Sequence, residues 1–530
     1  MSKLLISVAL LVLVLYFAHR FHTRVSERQQ ELERAKRRAA ARRQRECDAV
    51  LSDFMRIRGY LARKIATSAE IRGWIDQGIS PDELRTELEA RAEAVEGPLL
   101  GYLDYEGRRV PVRLPVEMRA RHVFCIGRTG VGKTTALRRM ILQDMAAGYG
   151  LAVVAPEAEM IADELLPFIP KSRWDDVVVV DPADIHHPVS FNPLHLDKGE
   201  DLDLKSAELM AIFRRLSDDT ATAAPRMETI LRQALYALLP VDNTTLLDIE
   251  RLLDRQDDGF RRWIIDQTRD EDTRHFWRDV YPAYPKDAHL SLVNRLGRFL
   301  RPRTIRNLLC QPGPSFNVRR AMDERRVLLF KLSDGLLGEE NAQLLGQLVV
   351  AKLQIAALSR ADIPQAQREL FLAYVDEFQR FANVAATSYE VMLSRSRKYM
   401  LGMVLAHQQM GQIGENLMRE ILGNVGSVVA FQVGATDARR LSRELVGEVD
   451  GKLVPVEPHE LVSLRVGEAI CRIGRSVFRL HTLPPPPGGS AAVRDEVVRR
   501  SRARYGRPRA VAPRNESRGG LHGLNPEETL

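Results

Sequence analysis

The chain has 530 residues, 45% hydrophobic and 28% charged; the length exceeds what one hydrophobic core organises, and the composition is globular rather than fibrous or low-complexity. Its net charge of +8 favours a polyanionic partner, nucleic acid or anionic lipid. Cys47, Cys125, Cys310 and Cys471 are scattered without a Cys-x-x-Cys pair or a neighbouring histidine cluster, which argues against a zinc site or a disulfide framework and fits a reducing compartment.

Leu4 to Ala18 is almost uninterruptedly apolar, broken by Ser7 and closed by Tyr16 and Phe17. The run is short for a membrane span, which takes about 17–25 residues, and would also suit a secretory signal core. His19-Arg20-Phe21-His22-Thr23-Arg24 follows without a small-x-small cleavage site, and the positive charge lies on this C-terminal side. These flanks predict a single-pass transmembrane anchor over residues 1–20 with the rest of the chain cytoplasmic, an uncleaved peripheral helix being the alternative. Residues 21–94 open with an Arg-, Glu-, Gln- and Ala-rich stretch lacking apolar heptads and are expected as a juxtamembrane helical stalk.

Arg121-His122-Val123-Phe124-Cys125-Ile126 alternates into an apolar strand that runs directly into Gly127-Arg128-Thr129-Gly130-Val131-Gly132-Lys133-Thr134-Thr135, and Ala136 to Ala147 then has helical apolar spacing. Strand, glycine loop and helix form the context of a Walker A motif. Glycines let successive backbone N–H groups turn inward around phosphates, and the helix N-terminus adds its partial positive charge. Gly127, Arg128, Thr129, Gly130, Val131, Gly132, Lys133, Thr134 and Thr135 are therefore the candidate nucleotide-binding residues. Lys133 would reach the β and γ phosphates, Thr134 would place its hydroxyl on Mg2+, and Thr135 would reach the α phosphate.

Apolar strands are expected next at 151–154 and 177–180. Residues 202–319 break the alternation with successive helices, among them Leu204 to Arg215, Arg226 to Leu239 and Leu290 to Leu300, and read as an inserted all-α domain. Alternation resumes with a strand at 326–332, and Leu370 to Val375 is a buried-strand pattern ending in Asp376-Glu377. An acid pair at a strand end downstream of a P-loop reads as Walker B, with Asp376 toward Mg2+ and Glu377 as general base.

A helix beginning near Ala386 ends in Arg395-Ser396-Arg397-Lys398. Such cations ordinarily complement a helix C-terminus; the sharper reading is an arginine finger given to a neighbouring subunit's nucleotide, Arg397 first and Arg395 as the alternative. Tyr399 to Ala406 is another apolar strand ending at His407-Gln408-Gln409, where Gln408 is the candidate γ-phosphate sensor and a helix N-cap the alternative. Strands at 427–433 and 469–473 complete the set. The alternation predicts a doubly wound, RecA-like α/β domain in two parts, 95–201 and 320–483, with parallel strands covered on both faces. Pro484 to Pro487, Gly488, Gly489 and the Arg-rich residues to Leu530 predict a disordered tail over 484–530.

Together these motifs resemble the HerA/FtsK superfamily of ring ATPases, and within it the TraD/TraG-type coupling proteins of conjugation and type IV secretion. The resemblance spans about residues 95–483 and rests on Arg121 to Thr135, Asp181-Pro182, Phe191-Asn192-Pro193-Leu194, Asp376-Glu377-Phe378, Ser394 to Tyr399 with Ala406-His407-Gln408, and Gly434-Ala435-Thr436-Asp437-Ala438. It implies an ATP- and Mg2+-dependent hydrolase assembled as a homohexamer at the bacterial inner membrane. DNA would be gripped by its backbone and moved through the central pore, with a relaxase and type IV secretion channel components as further partners. Two features depart from the family: one short apolar run replaces the usual two spans, and Ala155-Pro156-Glu157-Ala158-Glu159 stands where Asp-Pro is common. A HerA-like translocase or helicase working beside a nuclease in DNA processing or defence is the alternative of the same build. A nucleotide-binding membrane scaffold without turnover is the alternative of another class.

Overall fold

The computed structural model describes residues 2–58, 61, 65–105, 107–214, 225–382, 386–449 and 452–507. The chain divides into two compact units, residues 1–95 and 96–530. The first begins with a helix from Ser2 to Arg58, continued by Ser68–Asp76 and Pro81–Glu93. Both short helices open with a capping box, Thr67 with Glu70 and Ser80 with Glu83, so each start is fixed by its own sequence. Cys47, Val50, Ile75, Leu84, Leu88 and Ala92 are buried together. The expected helical stalk thus carries, over residues 47–92, a small apolar core. Of the expected anchor, residues 1–12 have side chains outside the described set; Leu13 to Phe17 follow on the same helix, all more than half exposed. Among the described residues one helical stretch, Glu339–Asp362, is long and apolar enough to cross a membrane, and it is 83% buried within the second unit, as its central helix.

Among the described residues the second unit has thirteen strands: β1 (Leu99–Tyr105), β2 (Arg108–Arg113), β3 (Val123–Ile126), β4 (Gly150–Ala155), β5 (Val177–Val180), β6 (Val327–Lys331), β7 (Phe371–Val375), β8 (Leu401–His407), β9 (Ser427–Ala430), β10 (Val446–Val449), β11 (Lys452–Pro455), β12 (Glu468–Ile473) and β13 (Ser476–Thr482). Eleven form one sheet in the order β2-β1-β13-β12-β9-β3-β8-β7-β4-β6-β5, and β10 pairs with β11 alone. From β9 to β5 all neighbours are parallel. The doubly wound expectation holds for these seven strands. It is extended by an antiparallel wing of β12, β13, β1 and β2, joined to β9 through β12.

Between β5 and β6 the chain makes a run of helices, including Leu202–Arg214, Pro225–Leu238, Leu246–Leu253, Leu290–Leu300 and Val318–Asp323. Their apolar faces join the sheet's core in one cluster, running from Phe124 and Val154 through Ile230, Leu235 and Leu246 to Trp277 and Leu296. The insertion therefore shares its core with the sheet. Its root is held by Asn192, whose Nδ2 donates to the Thr244 carbonyl at 2.7 Å, and by the Phe191 N–H to the Leu308 carbonyl, also 2.7 Å. Part of the expected tail is ordered: a helix from Ala491 to Tyr505 lies against β5, buries Val497 and Ser501, and takes the Val179 N–H on the Ser501 hydroxyl at 2.9 Å.

Two buried polar joints set the helix after β3 and the strand order. Asp144, on helix Lys133–Ala146, accepts from the Arg119 guanidinium and from the Tyr374 hydroxyl on β7, with all three side chains at most 1% exposed. His122 enters β3 at φ +67° with its ring buried; Nδ1 accepts the Met403 N–H at 3.0 Å, and Nε2 donates to the Leu393 carbonyl at 3.2 Å. That pairing fixes the neutral ring, and burial pushes its pKa down to about 4.

Asp144→Ala would leave Arg119 as an uncompensated buried charge and is expected to cost about 3–5 kcal/mol in denaturant unfolding. Tyr374→Phe keeps the ion pair and is expected to cost about 1–3 kcal/mol, so an equal loss in the two variants would refute the joint's order of importance. His122, with an unfolded pKa of 6.5 and a folded one of about 4, contributes stability that is present above pH 6.5 and lost as pH falls toward 4. His122→Asn, which tolerates the left-handed backbone, should take about one proton from the uptake on unfolding in that window, read from the slope of Tm against pH.

Candidate active site

At Ile126 the chain leaves β3 for the glycine loop. Gly130 and Gly132 take left-handed backbone, at φ +80° and +105°, which a side chain would strain. A Cβ on Gly127 would lie 2.6 Å from that of Phe431. Neighbouring strand ends hold the loop from outside: the Gly127 N–H donates to the His407 carbonyl at 3.2 Å, the Arg128 N–H to the Gln432 carbonyl at 3.0 Å, and the Gly467 N–H to the Val131 carbonyl at 3.0 Å. Helix Lys133–Ala146 starts without a side-chain cap, leaving its first amides, and the hydroxyls of Thr134 and Thr135 in the first turn, at the mouth of the loop.

Register brings the acids to the same edge. Ile126 pairs with His407 and Val375 with Leu405, so residues just past β3, β7 and β8 meet at the C-terminal end of the sheet. There Lys133 Nζ lies 3.2 Å from Glu377 Oε1 and 3.9 Å from Asp376 Oδ1, all three side chains nearly enclosed. Gln408 Nε2 donates to the same Glu377 oxygen at 2.6 Å, and Gln408 Oε1 accepts from the Thr129 hydroxyl at 3.2 Å. Thus Thr129, Lys133, Asp376, Glu377 and Gln408, chosen from three separate stretches of sequence, form one contiguous cluster.

Burial raises the Asp376 carboxyl to about 6 against the pull of Lys133, with Glu377 and Glu157 adding like charge. Glu157, in the segment that departs from the family pattern, therefore brings a further acid toward the site. Glu377 is pushed up by burial as well, but Lys133 and the donors on Gln408 and Gln379 outweigh it and hold this carboxyl below its ordinary value. Its backbone sits at φ +49°, a strained setting for a glutamate that turns the side chain back toward Lys133.

One contributor carries no motif of its own. Gln379 donates to Glu377 Oε2 and, through its own carbonyl oxygen, meets His407 Nδ1 at 2.8 Å. Burial lowers the His407 pKa to about 4, so the ring is neutral. Only the tight turn at Glu377, which the sequence does not announce, brings Gln379 under the carboxylate. Asp437 of the Gly434 to Ala438 motif accepts the Met410 N–H at 3.3 Å and ties the helix Ala435–Glu444 to the turn after Gln408. Asp181 pairs with Lys331 at the ends of β5 and β6.

Arg395 and Arg397 are not brought to this cluster. Arg395 ends the helix Ala386–Arg395, Arg397 lies in the turn Ser396–Tyr399 before β8, and both are exposed. They stand at the opposite end of β8 from Gln408, a separation of about 20 Å for seven residues of strand.

Neither a family model nor a curated protein sequence matches this chain. The solved structures do. The unbound bacterial conjugative coupling protein TrwBΔN70 aligns with a TM-score of 0.54 at 16% identity, covering 76% of this chain and 92% of TrwB. TrwB with a non-hydrolysable ATP analogue aligns at 0.55 and 17%, with the same coverage, and TrwB with ADP and Mg2+ at 0.55 and 16%, covering 76% and 93%. The chain therefore carries the RecA-like P-loop fold of the bacterial conjugative coupling protein TrwB.

Proposed function

We propose that the chain is a membrane-anchored ATP hydrolase that moves DNA, acting as the coupling ATPase of a conjugative or type IV transfer system. The observation that carries this reading is the convergence of the glycine loop, Lys133, Asp376, Glu377 and Gln408 on one sheet edge. Uncapped amides at the helix N-terminus and a buried lysine fit a triphosphate, and the Thr134 hydroxyl with the Asp376 carboxylate is the donor set Mg2+ takes. The ion would neutralise charge developing on the phosphates. Lys133 would turn from Glu377 to the β and γ phosphates, freeing Glu377 to take the proton of an attacking water. Gln408, already on Glu377, would orient that water without competing for its proton.

Arg397 cannot reach its own subunit's site across the length of β8, so an arginine finger at this place serves a neighbouring copy, which supports a ring such as the homohexamer. DNA is the polyanion that the fold likeness and the net charge of +8 favour. The apolar side chains exposed from Leu13 to Phe17 support an inner-membrane anchor, with relaxase and secretion channel as partners on the two sides of the transfer.

The full chain is expected to hydrolyse ATP with stimulation by DNA of any sequence, and the stimulation should fall as salt is raised. Lys133→Ala should abolish turnover, and Glu377→Gln should lower kcat by about 100- to 10,000-fold while nucleotide still binds. Wild-type turnover in either variant would remove the assignment. Arg397→Ala alone is expected to be slower by about a thousandfold or more. Mixing it with Glu377→Gln should restore partial activity, because one subunit's arginine then meets another's intact site. Failure of the mixture to recover, with both variants folded and assembled, would show that Arg397 does not act in trans.

A further inference from the structure

Glu377 carries its hydrogen bonds unevenly on its two oxygens. Oε1 faces Lys133 Nζ at 3.2 Å and takes the Gln408 Nε2 donor at 2.6 Å, the two partners that phosphates and an attacking water would draw away. Oε2 takes the Gln379 Nε2 donor, from two residues further along the same turn. Gln379 is half-buried, at the start of the short helix Gln379–Ala382. Once Lys133 has turned to a nucleotide, the bond to Gln379 is the one that still fixes the direction of the carboxylate.

The orientation of that amide is set from behind. Turned over, Gln379 would put its carbonyl oxygen against a carboxylate, so the N–H end points to Glu377 and the oxygen to His407 Nδ1 at 2.8 Å. An amide oxygen only accepts, so the neutral ring of His407 carries its one proton on Nδ1. The ring is fully buried, its centroid 5.1 Å from that of Phe378 and 6.5 Å from that of Phe124, and cannot swing away from the amide. The backbone on both sides is tied as well: the Phe378 N–H donates to the Ala406 carbonyl at 3.0 Å, and the His407 carbonyl accepts the Gly127 N–H at 3.2 Å. His407 thus holds the glycine loop by its backbone and, through Gln379, the acid by its side chain.

We propose that Gln379, oriented by His407, is the positioning residue that anchors Glu377 by Oε2 and leaves Oε1 to take the proton of the attacking water. The proposal rests on the reading of Glu377 as general base. As the water oxygen bonds to the γ phosphorus, the bridge to the β phosphate breaks with its electron pair leaving on ADP, and the water's proton passes to Oε1. Neither Gln379 nor His407 touches the nucleotide: His407 acts through Gln379, and Gln379 through Glu377.

The test is steady-state ATP hydrolysis by the full chain with Mg2+ and DNA, alongside calorimetric titration with ADP. Gln379→Met, which keeps the length of the side chain without its donor, is expected to lower kcat by about 10- to 100-fold and to leave KM and ADP affinity within about twofold. His407→Leu should do the same, while His407→Asn, whose amide places a donor near the Nδ1 position, should recover most of the loss. The double variant Gln379→Met with His407→Leu should be no slower than Gln379→Met alone by more than about twofold, because His407 has no other route to the acid. A Gln379→Met chain with wild-type kcat, a matching loss of ADP affinity, a double variant in which the two losses multiply, or a His407→Asn chain as slow as His407→Leu would each overturn the proposal. Gln379 is half-buried, so its variant decides the matter even if those at the buried His407 do not fold. A wild-type chain that binds ADP but does not turn ATP over overturns the reading of Glu377 itself, a result told apart from these because it precedes any substitution.

Discussion

One lysine facing two carboxylates in a nearly enclosed cleft is the constraint around which the second unit is arranged. Lys133, Asp376 and Glu377 are each less than a tenth exposed, and one positive charge cannot satisfy two negative ones. The conflict resolves asymmetrically: Glu377 takes the closer contact with Lys133 and the two glutamine amides and stays acidic, while Asp376 is pushed up to about 6. Such a cleft is electrostatically unfinished, and a divalent cation beside Asp376 together with phosphates on Lys133 is the change that would complete it. The strained backbone at Glu377 belongs to the same bargain, since it aims the carboxylate at Lys133 at a cost the surrounding strands must absorb.

The strands absorb it through joints that look unlike a catalytic site. His122 locks β3 to β8, Asp144 locks the helix after the glycine loop to β7 and Arg119, and Asp437 locks a following helix to the turn after Gln408. His122 and Asp144 are polar groups buried and paired, so losing one partner costs far more than the net worth of the contact, whereas Asp437 is half-buried. Several residues that carry the family resemblance are of this kind. Asn192 and Phe191 root the insertion and Asp181 meets Lys331, far from any phosphate role.

What could be read beforehand follows from how local its physical cause is. The glycine loop, the acids at the end of β7 and the glutamine at the end of β8 each follow an apolar strand, and a strand end in a parallel sheet is a position that sequence alone defines. The antiparallel wing was not legible, because β1, β2 and β13 alternate half-buried with polar residues and pair with distant partners. Gln379 depended on a turn with a left-handed glutamate, which no residue preference announces. The core of residues 47–92 is small and set among charged residues, so a helical stalk is legible there but its apolar core is not. The helix Ala491–Tyr505 has almost no apolar stripe and so looks like disordered tail in the sequence: it docks through Val497, Ser501 and arginine contacts to Asp175 and Asp184.

That last helix bears on how copies of the chain can meet. β5 is four consecutive valines at the sheet's edge, the kind of strand that recruits another strand unless it is covered. The helix covers it, with Ser501 occupying the Val179 amide and Arg500 holding Asp175 at 2.8 Å. The opposite edge, β2, is defended differently, by exposed Arg108 and Arg109 and by Pro111, which has no amide to offer. With both edges closed, the sheet cannot propagate by strand addition. Any association of copies would then use side-chain surfaces, of which the exposed arginines at the far end of β8 are a part.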